Sequence, residues 1–243
     1  MKITVFNGSP NAEKGNTHVM VEAFLEGALA AGAETENIFL VHKKIHYCTA
    51  CYSCWLKTPG QCAIRDDMAE LLAKAKAADL VVFATPLYVD NVTGIMKTFM
   101  DRLIPTAEPY FAKDDGGECR HKSTGKSPKI AVISNCGFPE QSHFQVLKLL
   151  FRRVARNMCS ELVAEIYRGG GAVLKEKNFW LGGKIRHYKD LLRKAGEQVV
   201  KDLRISPELQ TELEKPLVSD EQYIKGAEKY FSNAIAEIKP PQN

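Results

Sequence analysis

Short apolar runs alternate with stretches whose apolar positions recur at helical spacing. Lys2–Phe6, Glu34–Val41, Asp79–Thr85, Lys129–Asn135 and Met158–Tyr167 read as five strands. Asp79–Thr85 is almost continuously apolar and β-branched, the signature of a strand buried on both faces of a parallel sheet. Between the strands, Thr17–Ala31 places Val19, Met20, Phe24 and Ala28 on one helical face. Gln141–Arg156 does the same with Phe144, Leu147, Phe151 and Val154. Further helices follow Asp66 and Asp67, running to about Ala77, and follow Gly94, running to about Leu103. The pattern predicts an α/β fold over residues 1–171, a doubly wound parallel sheet of five strands in the order 2-1-3-4-5. Residues 105–128 are polar and glycine-bearing, and read as an insertion, a lid or a surface loop. Residues 172–243 read as a helical C-terminal extension packed on the same domain. It carries one stripe of Ile185, Tyr188, Leu192, Ala195 and Val199 and another of Tyr223, Ala227, Tyr230, Phe231 and Ala234.

Composition narrows the function classes. The net charge of +4 is spread over a charged fraction of 26% with both signs mixed, so no basic stripe marks a nucleic-acid surface. The longest dense apolar run, Leu80 to Ala84, is far too short to span a bilayer, and the N-terminus reads as a strand rather than a signal segment. These features predict a cytoplasmic protein with neither membrane nor nucleic acid as partner. The aromatic residues of the C-terminal helices, Phe179, Trp180, Tyr188, Tyr223, Tyr230 and Phe231, predict burial against the domain or in a homodimer.

In an open α/β sheet, ligands bind at the carboxyl ends of the strands where the winding reverses. The loop after strand one, Gly8-Ser9-Pro10-Asn11 through Gly15-Asn16-Thr17, is small, polar and followed at once by a helix. That combination suits a phosphate, which the unpaired N–H groups and dipole of a helix start favour. The plain alternative is a tight turn with Asn16 or Thr17 as N-cap. The loop after strand three offers Pro86, Leu87, Tyr88, Val89 and Asn91. The loop after strand four offers Asn135, Cys136 and Gly137, whose glycine lets backbone approach a flat ring. Ser9, Asn11, Gly15, Asn16 and Thr17 are therefore the candidate phosphate residues, and the other two loops the candidate ring residues.

The spacing Gly8-Ser9-Pro10 then Gly15-Asn16-Thr17, followed by Pro86, Tyr88, Asn91, Thr93-Gly94, Lys97 and Asp101-Arg102, resembles the flavodoxin-like, NADPH-dependent FMN reductase family. Two departures stand out. Asn11 occupies a place where family members often carry Arg, and Asn135-Cys136-Gly137 replaces the more usual Thr-Gly-Gly. The resemblance implies FMN rather than FAD as cofactor and NAD(P)H as co-substrate. It implies an oxidoreductase or electron-transfer flavoprotein reducing a quinone, a flavin, another small molecule or a redox protein. Flavin chemistry needs no side chain as general acid or base, so no catalytic residue is assigned.

Cysteine usage adds a second candidate centre. Of seven cysteines, Cys48, Cys51, Cys54 and Cys62 crowd into one loop after strand two. Three closely spaced thiols plus a fourth suit an iron–sulfur cluster better than structural zinc. The run is similar to that of the iron–sulfur flavoproteins, which implies a [4Fe–4S] cluster on these four residues. It is also similar to the loop of flavodoxin-like reductases without a cluster, where Tyr52 and Trp55 would cover the flavin. A non-catalytic thiol sensor or metal clip is the remaining class.

Overall fold

The computed structural model describes residues 1–122, 125, 127–176 and 179–238 of the 243. Five parallel strands, β1 (Lys2–Asn7), β2 (Glu34–Phe39), β3 (Leu80–Pro86), β6 (Lys129–Asn135) and β7 (Leu162–Arg168), pair in the order β2-β1-β3-β6-β7. Counting only these strands, that is the expected 2-1-3-4-5. The winding reverses between β1 and β3. The pairs Asn7 with Phe39, Asn7 with Ala84, Pro86 with Asn135 and Asn135 with Arg168 line up the carboxyl edge. Every loop expected to carry chemistry leaves from that edge.

Alternation along the strands builds two apolar layers. Ile3, Val5, Leu80, Val82, Ala84 and Ile133 pack beneath α1 (Asn16–Ala30), α6 (Phe179–Asp202) and α7 (Pro207–Glu214). Phe6, Val81, Phe83, Ile130 and Val132 face α3 (Met68–Ala77), α4 (Gly94–Asp101) and α5 (Gln145–Asn157). A four-residue α2 (Ser53–Leu56) sits within the cysteine loop. Among the described residues no helix is long and apolar enough to cross a membrane.

Three elements differ from the sequence pattern. The last strand begins at Leu162, because Met158 continues the end of α5 and Cys159 turns the chain at φ +52°. The described part of the 105–128 insertion holds a small antiparallel hairpin, β4 (Phe111–Lys113) with β5 (Cys119–His121); residues 123, 124 and 126 lie outside the described residues. In the C-terminal region, the Ile185–Val199 stripe of α6 is buried as expected, whereas α8 (Asp220–Glu237) buries no residue. Tyr230 and Phe231 are exposed, and so are Phe179 and Trp180 at the start of α6.

The closest helix contact is between α1 and α6. A Cβ on Gly27 would stand 1.9 Å from the carbonyl oxygen of Arg193, and one on Gly196 would stand 2.0 Å from that of Phe24. Two glycines thus let the helix backbones touch. A second lock is Arg168, buried at the end of β7. Its Nη1 donates to the Lys215 carbonyl at 2.6 Å, its Nη2 to the Leu213 carbonyl, and its guanidinium lies 4.0 Å from the centre of the Tyr188 ring. It caps the C-terminal end of α7 with a cation.

Gly27→Ala and Gly196→Ala each test the α1–α6 contact. Helix propensity alone favours alanine by up to about 1 kcal/mol. Overpacking against backbone costs about 1–3 kcal/mol and wins here, because a carbonyl cannot swing away as a side chain can. Urea unfolding is expected to give a lower midpoint for both variants; a rise in either would mean that the helices separate freely.

Candidate functional site

The phosphate-type loop is held from below. Gly8 N–H donates to the Ala84 carbonyl at 2.7 Å, and Ser9 N–H donates to Asn7 Oδ1 at 3.0 Å. The Ser9 hydroxyl accepts the Asn11 N–H at 3.4 Å and fills the space where a Gly15 Cβ would lie, 2.4 Å away. Gly15 rather than Asn16 or Thr17 is the N-cap of α1, and it supplies no side-chain bond. No acidic residue occupies the first turn, and the N–H groups of Asn16 and Thr17 have no hydrogen-bond partner among the described residues. The positive end of this helix is therefore left uncompensated by the protein.

The other two loops are tied to the first. The Thr93 hydroxyl donates to the Gly8 carbonyl at 2.7 Å and accepts the Met96 N–H at 3.3 Å as N-cap of α4. Asn135 Nδ2 donates to the buried Thr17 hydroxyl at 2.8 Å, and the Asn135 carbonyl accepts the Leu87 N–H at 2.8 Å. Cys136 is buried, with its thiol pushed up chiefly by that burial. The predicted residues thus separate into two sets. Ser9, Gly15, Thr17, Asn135 and Cys136 form the buried floor, with Pro86, Leu87 and Asn16 half-buried. Asn11, Tyr88, Val89, Asn91 and Gly137 are exposed at the rim.

The rim contains a strained turn. Tyr88 and Asn91 exchange backbone hydrogen bonds at 2.9 and 3.1 Å across Val89 and Asp90, which have φ of +48° and +56°. Two left-handed residues in a two-residue hairpin are a type I′ arrangement, which favours Asn or Gly. A β-branched side chain there is strained, and Val89, 98% exposed, gains no packing in return.

The four cysteines gather elsewhere on the same edge. Cys48, Cys51, Cys54 and Cys62 line one pocket together with Arg102. All four share this pocket, but among the described residues no group of three or more His, Cys, Asp or Glu side chains is placed to hold a metal ion. Ala50 and Tyr52, on either side of Cys51, both adopt positive φ, +50° and +54°, which bends the backbone around that thiol. Hydrogen bonding from Ser53, then from Thr49, lowers the Cys51 thiol to about 7; burial, then the neighbouring Cys62, pushes Cys54 up. Trp55 Nε1 donates to the Ala107 carbonyl at 2.7 Å and its ring packs 5.1 Å from His121, so it binds the cysteine loop to the hairpin insertion.

Beneath the pocket lies a buried ion pair that sequence reasoning did not assemble. Arg102 Nη1 and Nη2 meet the two oxygens of Asp66 at 2.7 and 3.0 Å; Nη1 also donates to the His46 carbonyl at 2.6 Å and Nη2 to Cys62 Sγ at 3.4 Å. Burial opposes the charge on Asp66, but the Arg102 side chain and the N–H groups of His46 and Met68 outweigh it and hold the carboxyl below its usual range. The Asp101-Arg102 pair was visible in the sequence; Asp66 was visible only as a helix-start residue.

Val89→Asn relieves the rim strain. The left-handed penalty for a side-chain-bearing residue is roughly 1–2 kcal/mol, and asparagine avoids most of it. The variant is expected to be more stable by about 1 kcal/mol in urea unfolding. Equal or lower stability would mean the turn is not strained.

Comparison with known proteins places this geometry in context. The chain is 43% identical over 137 residues to an iron–sulfur flavoprotein of Archaeoglobus fulgidus, covering 56% of this chain and 61% of that one. It is 35% identical over 112 residues to an iron–sulfur flavoprotein of Methanosarcina thermophila, covering 46% and 57%. The chain spans about half to three-fifths of the length of the curated relatives it matches. Its fold is similar to that of an NAD(P)H:quinone oxidoreductase from Methanothermobacter marburgensis, with TM-score 0.60 and 16% identity over 82% of this chain and 96% of that one. It is equally similar to an FMN-dependent NADH-azoreductase from Bacillus anthracis, with TM-score 0.61 and 18% identity over 82% and 99%. The sequence profile of one family matches residues 1–125, just over half of the 243, and by that match the chain belongs to the NADPH-dependent FMN reductase family.

Proposed function

We propose that the protein is an FMN-dependent NAD(P)H oxidoreductase or electron-transfer flavoprotein. The observation that carries this reading is the uncompensated start of α1, enclosed by the loop Ser9–Gly15 and bonded to the loops after β3 and β6. A dianionic phosphate fits free N–H groups, hydroxyls and a helix dipole, and the Lys175 ammonium, bonded to the Lys14 carbonyl, stands at the same loop. Ser9, Asn11, Gly15, Asn16 and Thr17 would hold the phosphate. Pro86 to Val89, Asn91 and Asn135 to Gly137 would meet the ring. When bound, FMN supplies hydride acceptance at N5 and release of electrons singly or as a pair. The chain's own task is to bind, orient and limit access. Its buried floor is already hydrogen-bonded, so little ordering is required on binding.

The acceptor is a small molecule such as a quinone or flavin, or a redox protein, in the cytoplasm. A second reading adds a [4Fe–4S] cluster on Cys48, Cys51, Cys54 and Cys62. It is favoured by the four cysteines lining one pocket, which is the donor set such a cluster takes. The similarity to relatives named iron–sulfur flavoprotein points the same way. The bare apolar positions of α8 further suit a homodimer in which a second copy covers them. Sedimentation showing only a 27.1 kDa species would remove the dimer.

The flavin reading is tested by fluorescence titration of FMN. Thr17→Val removes one hydroxyl at nearly constant volume and leaves the Asn135 amide without its acceptor. A hydrogen bond to a charged group contributes about 1.5–3 kcal/mol, so affinity is expected to fall by about ten- to a hundredfold. Unchanged affinity would confine Thr17 to the floor. A wild-type protein that stays colourless and binds no FMN would sink the oxidoreductase itself.

A further inference from the structure

The pocket of four cysteines has a cation built into its wall. Arg102 is 1% exposed, and its guanidinium touches a sulfur directly, Nη2 donating to Cys62 Sγ at 3.4 Å. Two further contacts fix its orientation: the fork onto Asp66 and the bond to the His46 carbonyl. Its Nε–H is buried with no partner. Arg102 lines the pocket and touches Cys62 Sγ, whereas Asp66 is not among the lining residues. The other carboxylate in the wall, Asp101, is paired with Lys97 at 2.6 Å on the outer side of α4. Four thiolates crowd negative charge into a small space, and reduction adds more. A fixed positive charge at hydrogen-bond distance from one sulfur favours the more negative state, strongly so away from bulk water.

We propose that Arg102 is a positioning residue of the cysteine pocket, placing a charge-assisted Nη2–H···Sγ bond on Cys62 that raises the reduction potential of a cluster held there. This rests on the iron–sulfur reading. The need for Asp66 follows from chain geometry. An unclamped arginine at the end of α4 would extend into solvent, and the bidentate carboxylate turns it inward. The potential separates this role from a staple between α4 and the cysteine loop, since a staple would leave it unmoved.

The test compares wild type, Arg102→Gln, Arg102→Lys and the double variant Arg102→Met with Asp66→Asn, all reconstituted anaerobically with iron and sulfide. Removing one partner of a buried ion pair is disruptive, whereas replacing both is often tolerated, so the double variant keeps the test open where Arg102→Gln does not fold. Redox titration followed by electron paramagnetic resonance is expected to show a lower midpoint in both neutral variants. The shift should be at least about tenfold in the reduced-to-oxidised ratio, 59 mV for a one-electron couple. Arg102→Lys, with the charge kept and the fork lost, should recover most of it. If neither neutral variant loads iron, the midpoint of Arg102→Lys decides: a value below wild type supports the lost Nη2–H···Sγ bond, and the wild-type value overturns it. A loaded neutral variant with the wild-type midpoint would overturn the role of Arg102 and leave the cluster standing. Wild type with neither iron nor sulfide would remove the cluster, and this role with it.

Discussion

A single buried hydrogen bond, from the Thr93 hydroxyl to the Gly8 carbonyl, fixes how the functional edge is arranged. It joins the loop after β1 to the first turn of α4, and the same hydroxyl caps that helix by accepting the Met96 N–H. Contact this close is possible only because residue 8 has no side chain: a Cβ there would lie 2.7 Å from Met96 Cβ. With its first turn seated on the phosphate-type loop, α4 has one direction left to run. Nine residues later, roughly 13 Å at helical rise, it delivers Arg102 to the cysteine pocket. One helix thus sets the spacing between the two candidate centres.

The division of labour in the candidate flavin site follows from polar bookkeeping. Thr17, Asn135, Ser9 and Thr93 are buried and satisfied by one another or by backbone, as burial of polar groups demands. Among the described residues the N–H groups of Asn16 and Thr17 have no partner, and the strained Val89–Asp90 turn is exposed. Satisfied groups below and unsatisfied or strained groups above are what a pre-formed site requires. The cysteine pocket differs: Arg102 stands in its wall, paired to Asp66 but with its Nε–H unpartnered among the described residues, and Cys48 and Cys51 are exposed.

Much of this was legible in the sequence because it is local. Apolar runs such as Asp79–Thr85 announce parallel strands, and the loops after β1, β3 and β6 follow one another along one edge, with the cysteine loop after β2 at its outer end. The cysteine run is readable because Cys48, Cys51, Cys54 and Cys62 lie close in sequence. Contacts between distant residues were not legible. Asn135 reaches Thr17 across 118 positions and Arg102 reaches Asp66 across 36, and no periodicity encodes either. Gly27 and Gly196 look like weak helix residues until the two helices are seen to touch at them. On α8 Tyr230 and Phe231 lie open while Tyr223 rests against Gly170, because period reports amphipathicity and not what covers it.

FMN held as proposed over the carboxyl edge, on the loops after β1, β3 and β6, would shield the backbone there. Amide hydrogen exchange with and without FMN tests it most directly. Added protection is expected at residues 9–18, 86–93 and 135–138, with the N–H groups of Asn16 and Thr17 among the most affected. Protection confined to other surfaces, or none in these three loops at saturating FMN, would contradict it.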